Sequence, residues 1–370
     1  MCPGPAGGSL RHPARWALRH PARWALRHPA RWVPRGGRPV ALVLVLAALV
    51  LAGCGGSSGS GSTAESSAAG KDQGKVQGKV LLYTSYSQPE VDALLAAYRS
   101  AHPAVHVDLF RAPTGQLSAR IAAEQRSGGI RGDVLLLSDP LSMQQYAAQK
   151  LLRRWSPPGV EAVPPAARSD TFWGVATSDV VVVNQPGYDV TSWQQLTGPR
   201  FRKGVALPDP SFAGSAFGAL GYFALADGFG LDFYRKLKEN GTVQVQAPGD
   251  VITGVAEGRF KAGMTLDFLA RAAVKQGSPI KISVPAPGAV RLYAPVAVFA
   301  GTKNARAAES FAGFLLTRPA QQALAKLDRH PIRADVPALA PAVTAVTPDW
   351  PAIFARQSEL RADYRDIFGG

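Results

Sequence analysis

The sequence contains little cysteine: Cys2 and Cys54 are the two that occur among its 370 residues. A chain of this length with two cysteines does not rely on a disulfide framework, and the C-x-x-C spacing of zinc and redox sites is absent. Removal of the segment before Cys54 would also remove Cys2, so no disulfide could form within the remaining chain. The protein must therefore be stabilised by apolar burial, for which its 46% hydrophobic content suffices.

Histidine is also scarce, with six in the chain, three of them in the first 38 residues. The later ones are His102, His106 and His330, and the metal-binding pattern H-E-x-x-H is missing. A P-loop and the glycine fingerprint of dinucleotide-binding proteins are missing as well. These absences argue against a metalloenzyme, a nucleotide hydrolase and a dinucleotide-dependent enzyme, and we expect no cofactor.

Acidic residues are absent from residues 1–54, which contain eight arginines. The rest of the chain has 33 basic and 26 acidic residues, so its charge is +7, against +15 for the whole sequence. Dispersed charge at this level, without a block of five or six like charges, is typical of a solvated surface. We therefore expect no nucleic-acid partner.

Three tandem octapeptides begin at Arg11, Arg19 and Arg27, and each contains a proline. Their period is far below the roughly 20 to 50 residues of repeat folds, and proline interrupts helices. We interpret them as an over-long basic region before an export signal, or as upstream sequence included by a misplaced start.

An apolar run of about 14 residues, 40–53, follows these repeats and is shorter than the roughly 20 residues that span a bilayer. It has the length of the hydrophobic region of an export signal. The run ends in Leu51-Ala52-Gly53-Cys54, which resembles the bacterial lipobox. This resemblance implies that residues 1–53 are a signal peptide and that Cys54 is acylated, which makes the lipid membrane a partner.

A Gly/Ser-rich segment follows Cys54, and such a composition stays flexible because it can bury little. We predict a tether over residues 54–78. The expected location is outside the cytoplasm, with the protein anchored by lipid to the cell membrane.

Short apolar strands alternate with amphipathic helices from Lys79 onward, as in the strand KVLLYTS and the helix that follows Ser87. Ser87 and Glu90 form a capping-box pattern at the start of that helix. Alternation of this kind predicts an α/β fold with mostly parallel strands covered by helices. A second such region begins near 179–184, which suggests two α/β lobes with a cleft between them.

Three segments carry a resemblance to a known family: residues 191–218, 301–327 and 330–336. They resemble the extracellular solute-binding proteins of ABC importers, in the subgroup that includes ferric-iron, 2-aminoethylphosphonate and hexose-phosphate binders. The resemblance implies a type II periplasmic-binding-protein fold with a mixed, mostly parallel sheet in each lobe. It also implies an ABC permease and its ATPase as partners, and we expect a monomer.

The lobe boundaries follow from this resemblance and from the order of elements. We assign residues 79–176 and 290–340 to lobe 1, and residues 177–289 and 341–370 to lobe 2. The protein would close both lobes around a small solute.

Candidate solute-binding residues lie where a strand ends and a helix begins, because such positions present free backbone N–H groups. The favoured segment is 209–216, because its small residues allow close approach to the backbone of a helix start. The resemblance implies that this segment contacts the ligand, and Ser215 is the first candidate. The candidates are Ser85, Tyr86, Ser87, Thr114, Ser138, Asp139, Ser211, Gly214, Ser215, Ala216 and Asp267.

Several of these candidates have a second interpretation. Ser87 and Asp139 could simply cap helices, and the small residues near Gly214 could serve helix packing. Asp267 could cap a helix or bind a substrate ammonium group.

The iron-binding relatives have adjacent tyrosines near position 267, where this sequence has Leu266, Asp267 and Phe268. Their histidine near the first strand falls on or near Ser87. We therefore expect an anionic or zwitterionic solute, with a phosphonate or sugar phosphate favoured. Ferric iron or an iron chelate is the alternative within the family.

A membrane-anchored serine hydrolase is the alternative from another class, based on Gly214-Ser215-Ala216-Phe217-Gly218. The spacing is G-S-x-x-G, whereas the strained turn that exposes a nucleophilic serine has G-x-S-x-G. We therefore expect a binding protein and not an enzyme.

Overall fold

The computed structural model describes residues 76–369. The predicted signal segment, Cys54 and the tether up to residue 75 lie outside this range. In the part that is described, none of the helices combines the length and the apolar character needed to cross a membrane.

Within residues 76–369, strands and helices alternate as the sequence predicts. The strands are β1 (Gly78–Thr84), β2 (Val105–Arg111), β3 (Val134–Leu136), β4 (Phe172–Asn184), β5 (Val205–Pro208), β6 (Val243–Val245), β7 (Ala262–Leu266), β8 (Lys281–Ser283), β9 (Ala289–Val298), β10 (His330–Pro331) and β11 (Ala345–Val346). The α-helices are α1 (Gln88–Ala101), α2 (Thr114–Arg126), α3 (Pro140–Ala148), α4 (Gly214–Leu225), α5 (Gly230–Glu239), α6 (Pro248–Ala256), α7 (Asp267–Lys275), α8 (Ala305–Phe314), α9 (Arg318–Ala325), α10 (Trp350–Ala355) and α11 (Gln357–Phe368). The predicted α/β class is confirmed.

The strands form one hydrogen-bonded ladder in the order β2-β1-β3-β9-β4-β7-β5-β6. Strand β1 pairs in parallel with β2 and β3, and β5 pairs in parallel with β6 and β7. The two central strands, β4 and β9, are antiparallel to each other. The sheet is therefore mixed, with one parallel group at each end.

Strand β4 joins the two parallel groups because it is 13 residues long. Its first residues, from Phe172, lie opposite β9 where β9 also pairs with β3, and its last residues, up to Asn184, pair with β7 and β8. A bulge interrupts the register with β9 between Gly174 and Ala176. The sequence pattern marked the region from Asp179 as a new unit, whereas the strand that carries it begins at Phe172.

Helix α1 shows why the local sequence sets a helix start. Ser87 is the N-cap, and the Oε2 atom of Glu90 accepts hydrogen bonds from the Ser87 backbone N–H (2.9 Å) and from the Ser87 hydroxyl (2.6 Å). The apolar residues at the predicted helical spacing, including Leu94 and Tyr98, are buried. The predicted helix start is confirmed.

The C-terminal helices fix α4 in place. A Cβ atom at Gly221 of α4 would lie 2.3 Å from the side chain of Ile353 in α10, and one at Gly218 would lie 2.8 Å from Leu292. Glycine at position 221 lets α10 pack directly on α4, and glycine at position 218 lets β9 approach the same helix. Helix α10 also packs on α3. The starts of α3 and α4 are thereby held next to each other.

Candidate functional site

A cavity of about 280 Å³ lies at the starts of five helices, α1, α2, α4, α6 and α7. Helix starts carry backbone N–H groups without a partner in the helix and a partial positive charge, so their convergence favours an anionic ligand. Seven of the eleven candidate residues line this cavity: Ser85, Tyr86, Ser87, Thr114, Ser138, Gly214 and Ser215. The segments that contain them come from both parallel groups of strands.

Hydroxyl groups follow β1 and β3 where these strands end at the cavity. The Oγ atom of Ser85 accepts a hydrogen bond from the Ser138 backbone N–H (3.1 Å) and donates to the Ser138 hydroxyl (3.3 Å). The hydroxyl of Thr114, which is buried at the start of α2, has no hydrogen-bond partner among the described residues. The cavity wall thus carries polar groups that a polar solute could bond.

Segment 211–214 contacts the start of α2 directly. Gly115 donates its backbone N–H to the Phe212 carbonyl oxygen (3.1 Å), and a Cβ atom at Gly115 would lie 2.1 Å from the Ser211 carbonyl oxygen. Ser211 is not among the residues that line the cavity. Its backbone carbonyl contributes to this contact, and its N–H donates to Asp209 (2.7 Å).

Asp139 lies behind the cavity wall. Its Oδ1 atom accepts a hydrogen bond from the Ser142 backbone N–H (2.8 Å), so it caps α3. Burial raises the pKa of Asp139, and the hydrogen bond from Ser142 and the charge of Arg361 oppose this only in part. A Cβ atom at Gly214 would lie 2.0 Å from the Oδ2 atom of Asp139. Glycine at position 214 is therefore required for this close approach.

Ala216 and Ser215 line a second, apolar void of about 20 Å³ beside the main cavity. Ser215 lines both spaces, whereas Ala216 is not part of the main cavity. The structure thus places Ser215 at the boundary between the main cavity and an apolar void.

Asp267 does not line the cavity, although its neighbours Leu266 and Phe268 do. Its side chain is buried, accepts hydrogen bonds from the Asp179 backbone N–H (2.9 Å) and Arg271 (2.6 Å), and lies 3.0 Å from His330 Nε2. Burial opposes ionisation, but the hydrogen bond to His330 and the charge of Arg271 together lower the pKa of Asp267. This aspartate joins α7 to β4 and β10.

Asp179, Asp267 and His330 offer ligand atoms within 4.8 Å of one another, a spacing that could hold a metal ion. Two arginines already neutralise the carboxylates: Arg271 bonds Asp267, and Arg291 forms two hydrogen bonds with Asp179 (2.9 and 2.8 Å). Because both negative charges are paired, the cluster does not fit a cation. We assign it a structural role.

Arg329 is a cavity residue that the sequence analysis missed. Its side chain is 2% exposed, and its guanidinium carbon lies 4.5 Å from the ring centre of Phe268 and 5.1 Å from that of Tyr86. Burial works against its charge, but Tyr86, Glu90 and Asp267 together raise the pKa of Arg329. The cavity therefore has a permanent positive charge in its wall.

Glu90 and Arg111 are the other charged residues in the lining. Gln246 and Leu269 also line the cavity, and the sequence indicated neither of them. Glu90 was assigned only the capping-box role. Arg329 directly precedes the segment 330–336 that resembles the family, and this adjacency is the one sequence signal that could have pointed to it.

The sequence profile of the bacterial extracellular solute-binding proteins matches residues 80–327, so the chain belongs to that family. A Haemophilus influenzae protein of uncharacterised role is 28% identical over 134 residues, which are 35% of this chain. The match covers only 38% of that relative's length.

Solved structures show the same fold. The periplasmic binding protein AfuA from Actinobacillus pleuropneumoniae, with bound fructose-6-phosphate, superposes with a TM-score of 0.73 at 17% identity, covering 79% of this chain and 98% of AfuA. Iron-bound HitA from Pseudomonas aeruginosa gives a TM-score of 0.67 at 20% identity, covering 78% of this chain and 99% of HitA. The predicted resemblance to solute-binding proteins and the predicted periplasmic-binding-protein fold are confirmed. Since the family consists of binding proteins, the chain is a binding protein and not an enzyme.

Proposed function

We propose that the protein is the extracytoplasmic solute-binding component of an ABC importer. It captures a small anionic or zwitterionic solute, a phosphonate or sugar phosphate by preference, and delivers it to a permease and its ATPase. The observation that carries this proposal is the cavity of about 280 Å³, where five helix starts, several hydroxyl groups and the buried Arg329 converge. Such a site supplies the donors that an oxyanion accepts.

The lobe boundaries are part of the proposal: lobe 1 comprises residues 79–176 and 290–340, and lobe 2 comprises residues 177–289 and 341–370. The pairing of β4 and β9 supports it, because both strands run from one parallel group to the other. The contact between Gly115 and Phe212 would then join lobe 1 to lobe 2. A solute bonded by both lobes shifts the equilibrium toward the closed state.

The chemistry of the lining supports an organic anion over ferric iron. Tyr86 is the tyrosine that lines the cavity, and burial raises the pKa of Tyr86 to about 12, which disfavours the phenolate that Fe(III) prefers. Glu90 is the one carboxylate among the described residues that line this cavity, and a single carboxylate without a phenolate is a sparse ligand set for Fe(III). Iron remains the alternative because HitA, which shares the fold, is iron-bound.

Membrane attachment through acylated Cys54 is the second part of the proposal, together with a signal peptide over residues 1–53, a tether over 54–78 and a monomeric state. It is supported by the sequence Leu51-Ala52-Gly53-Cys54 after an apolar run. A tethered binder stays near the permease that it serves.

A thermal-shift screen of the detergent-solubilised chain tests the solute class. The panel contains phosphonates, sugar phosphates, inorganic phosphate, Fe(III)-citrate and thiamine. Saturating ligand at 100 times its Kd stabilises the folded state by about 2.7 kcal/mol, which is a measurable shift. A rise in Tm with phosphonates or sugar phosphates supports the proposal, a rise with Fe(III)-citrate alone selects the iron alternative, and consumption of a ligand would contradict a pure binding role.

A further inference from the structure

Arg329 has almost no hydrogen-bonded partner despite its burial. A guanidinium group carries five N–H donors, yet the described residues accept a single bond from it, at Tyr86 Oη over a long 3.4 Å. Its Nε atom is buried without an acceptor in hydrogen-bond geometry. A buried arginine in this state is poorly satisfied, since it has lost the water that bonded it in the unfolded chain.

Glu90 faces Arg329 in the same condition. The Glu90 side chain is 3% exposed, and its Oε2 atom is occupied by the two hydrogen bonds from Ser87. Its Oε1 atom lies 3.3 Å from Arg329 Nε, and no described residue donates a hydrogen bond to it. One oxygen of a buried carboxylate is therefore left to receive a donor.

Both side chains line the cavity, so a bound solute can reach them. A solute oxyanion would accept the free N–H groups of Arg329, and a solute donor would bond the free oxygen of Glu90. The two unsatisfied groups thus have opposite requirements, and one solute with two opposite ends meets both.

The charge of the lining indicates what the donor is. Arg111, Arg329 and Glu90 are the charged residues of the lining, so the side chains sum to +1. An oxyanion with two negative charges and one ammonium group sums to −1 and balances this wall, as a singly charged oxyanion also does, so the position of Glu90 has to distinguish the two. An oxyanion with a neutral tail would engage Arg329 and leave Glu90 as a buried carboxylate near a second negative charge, which is unfavourable.

We propose that Glu90 and Arg329 form a solute-recognition pair, in which Arg329 binds an oxyanion and Glu90 binds an ammonium group on the same short solute. This rests on the proposed solute-binding function and narrows the solute class to zwitterions. The rings of Phe268 and Tyr86 lie 4.5 and 5.1 Å from the guanidinium carbon and pack against it. The pair, rather than Asp267, then selects for the amine.

Isothermal titration of the full chain in detergent tests the pair with three probes of equal length: aminoethylphosphonate, hydroxyethylphosphonate and ethylphosphonate. We expect wild type to bind the amine at least about tenfold more tightly than the ethyl compound, an order typical of a buried charge pair. Glu90→Gln removes the charge and keeps the shape, so it should abolish the preference while ethylphosphonate still binds. Arg329→Gln should lower the affinity for all three phosphonates, because each of them has the oxyanion that Arg329 binds.

Glu239→Gln, on the exposed surface of α5, is the matched control and should preserve the preference. Equal affinities of wild type for the amine and ethyl compounds, or a preference that survives Glu90→Gln, would overturn the pair. If Glu90→Gln fails to fold, the affinities of the wild type for the amine and ethyl compounds still test the pair. Binding of sugar phosphates without any phosphonate would overturn the pair and leave the proposed function standing, whereas no binding of any solute in the panel would overturn both.

Discussion

Gly115 donates its backbone N–H to the carbonyl oxygen of Phe212 over 3.1 Å. This bond brings the start of α2 against the residues that precede α4. A Cβ atom at Gly115 would lie 2.1 Å from the Ser211 carbonyl oxygen, so the contact depends on glycine.

Gly115→Ala is expected to weaken solute binding by about tenfold. Overpacking of this kind costs about 1–3 kcal/mol, and this cost would destabilise the closed state to which the solute binds. The measurement is titration with the best solute of the screen, combined with small-angle X-ray scattering of the liganded protein. Gly301→Ala is the control, since a Cβ atom there meets nothing within 4 Å. Unchanged affinity and an unchanged radius of gyration would show that the contact is not part of closure.

Ser215→Trp is expected to abolish solute binding by filling the cavity that Ser215 lines. Ser215→Ala removes only the hydroxyl group and should weaken binding by about tenfold or less, as is usual for one hydrogen bond. Circular dichroism and thermal unfolding establish that both variants fold. Tight binding by the folded tryptophan variant would remove Ser215 from the site.

Asp267→Asn tests whether this residue serves the fold or the solute. Removing one partner from a buried ion pair costs about 3–5 kcal/mol, so urea unfolding should show a large loss of stability. Solute affinity of the remaining folded protein should change little, because Asp267 does not line the cavity. A selective loss of affinity for amine-bearing solutes would instead support the ammonium role that the sequence left open.

Asp139→Asn is expected to stabilise the protein at neutral pH. Burial raises the pKa of Asp139 in the folded state, so the folded protein favours the protonated carboxyl, and stability falls as pH rises above the ordinary aspartate pKa of about 4. Asparagine keeps an uncharged N-cap for α3. The gain should vanish below about pH 4, where the wild-type residue is protonated in both states. Urea unfolding of both proteins across pH measures this, and a gain independent of pH would contradict it.

Cys54→Ser is expected to release the protein from the membrane fraction, since the thiol that would be acylated is lost. Mass spectrometry of the N-terminal peptide of the wild-type protein should find acylated Cys54. A wild-type N-terminus without lipid, or a serine variant that stays in the membrane fraction, would rule out the anchor.

Local signals in the sequence predicted the alternation of strands and helices and the start of α1, because capping and periodicity act over a few residues. The antiparallel pairing of β4 with β9 could not be predicted from such signals. Residues that pair there, such as Phe172 and Ala297, are separated by more than a hundred positions, and alternation of apolar residues does not name a partner strand.

The residues that line the cavity were predicted only in part, because local signals do not identify a residue that reaches the cavity through distant contacts. Ser85, Thr114 and Ser215 were accessible to sequence reasoning because each lies where a strand gives way to a helix: Ser85 directly follows β1, and the other two lie in the first turn of a helix. Arg329 was not, because a charged residue is buried only through tertiary contacts, here with Tyr86 and Phe268. Its place in the wall depends on elements that lie far away in the chain.

The bulge between Gly174 and Ala176 has a mechanical consequence for the whole molecule. A bulge loosens the ladder locally and increases its twist, while the pairs on either side keep their hydrogen bonds. The strand that connects both ends of the sheet is therefore bent and more strongly twisted at this point than along its regular pairs. If the two lobes close as proposed, the strand would bend at this point while the hydrogen bonds on either side of it stay intact.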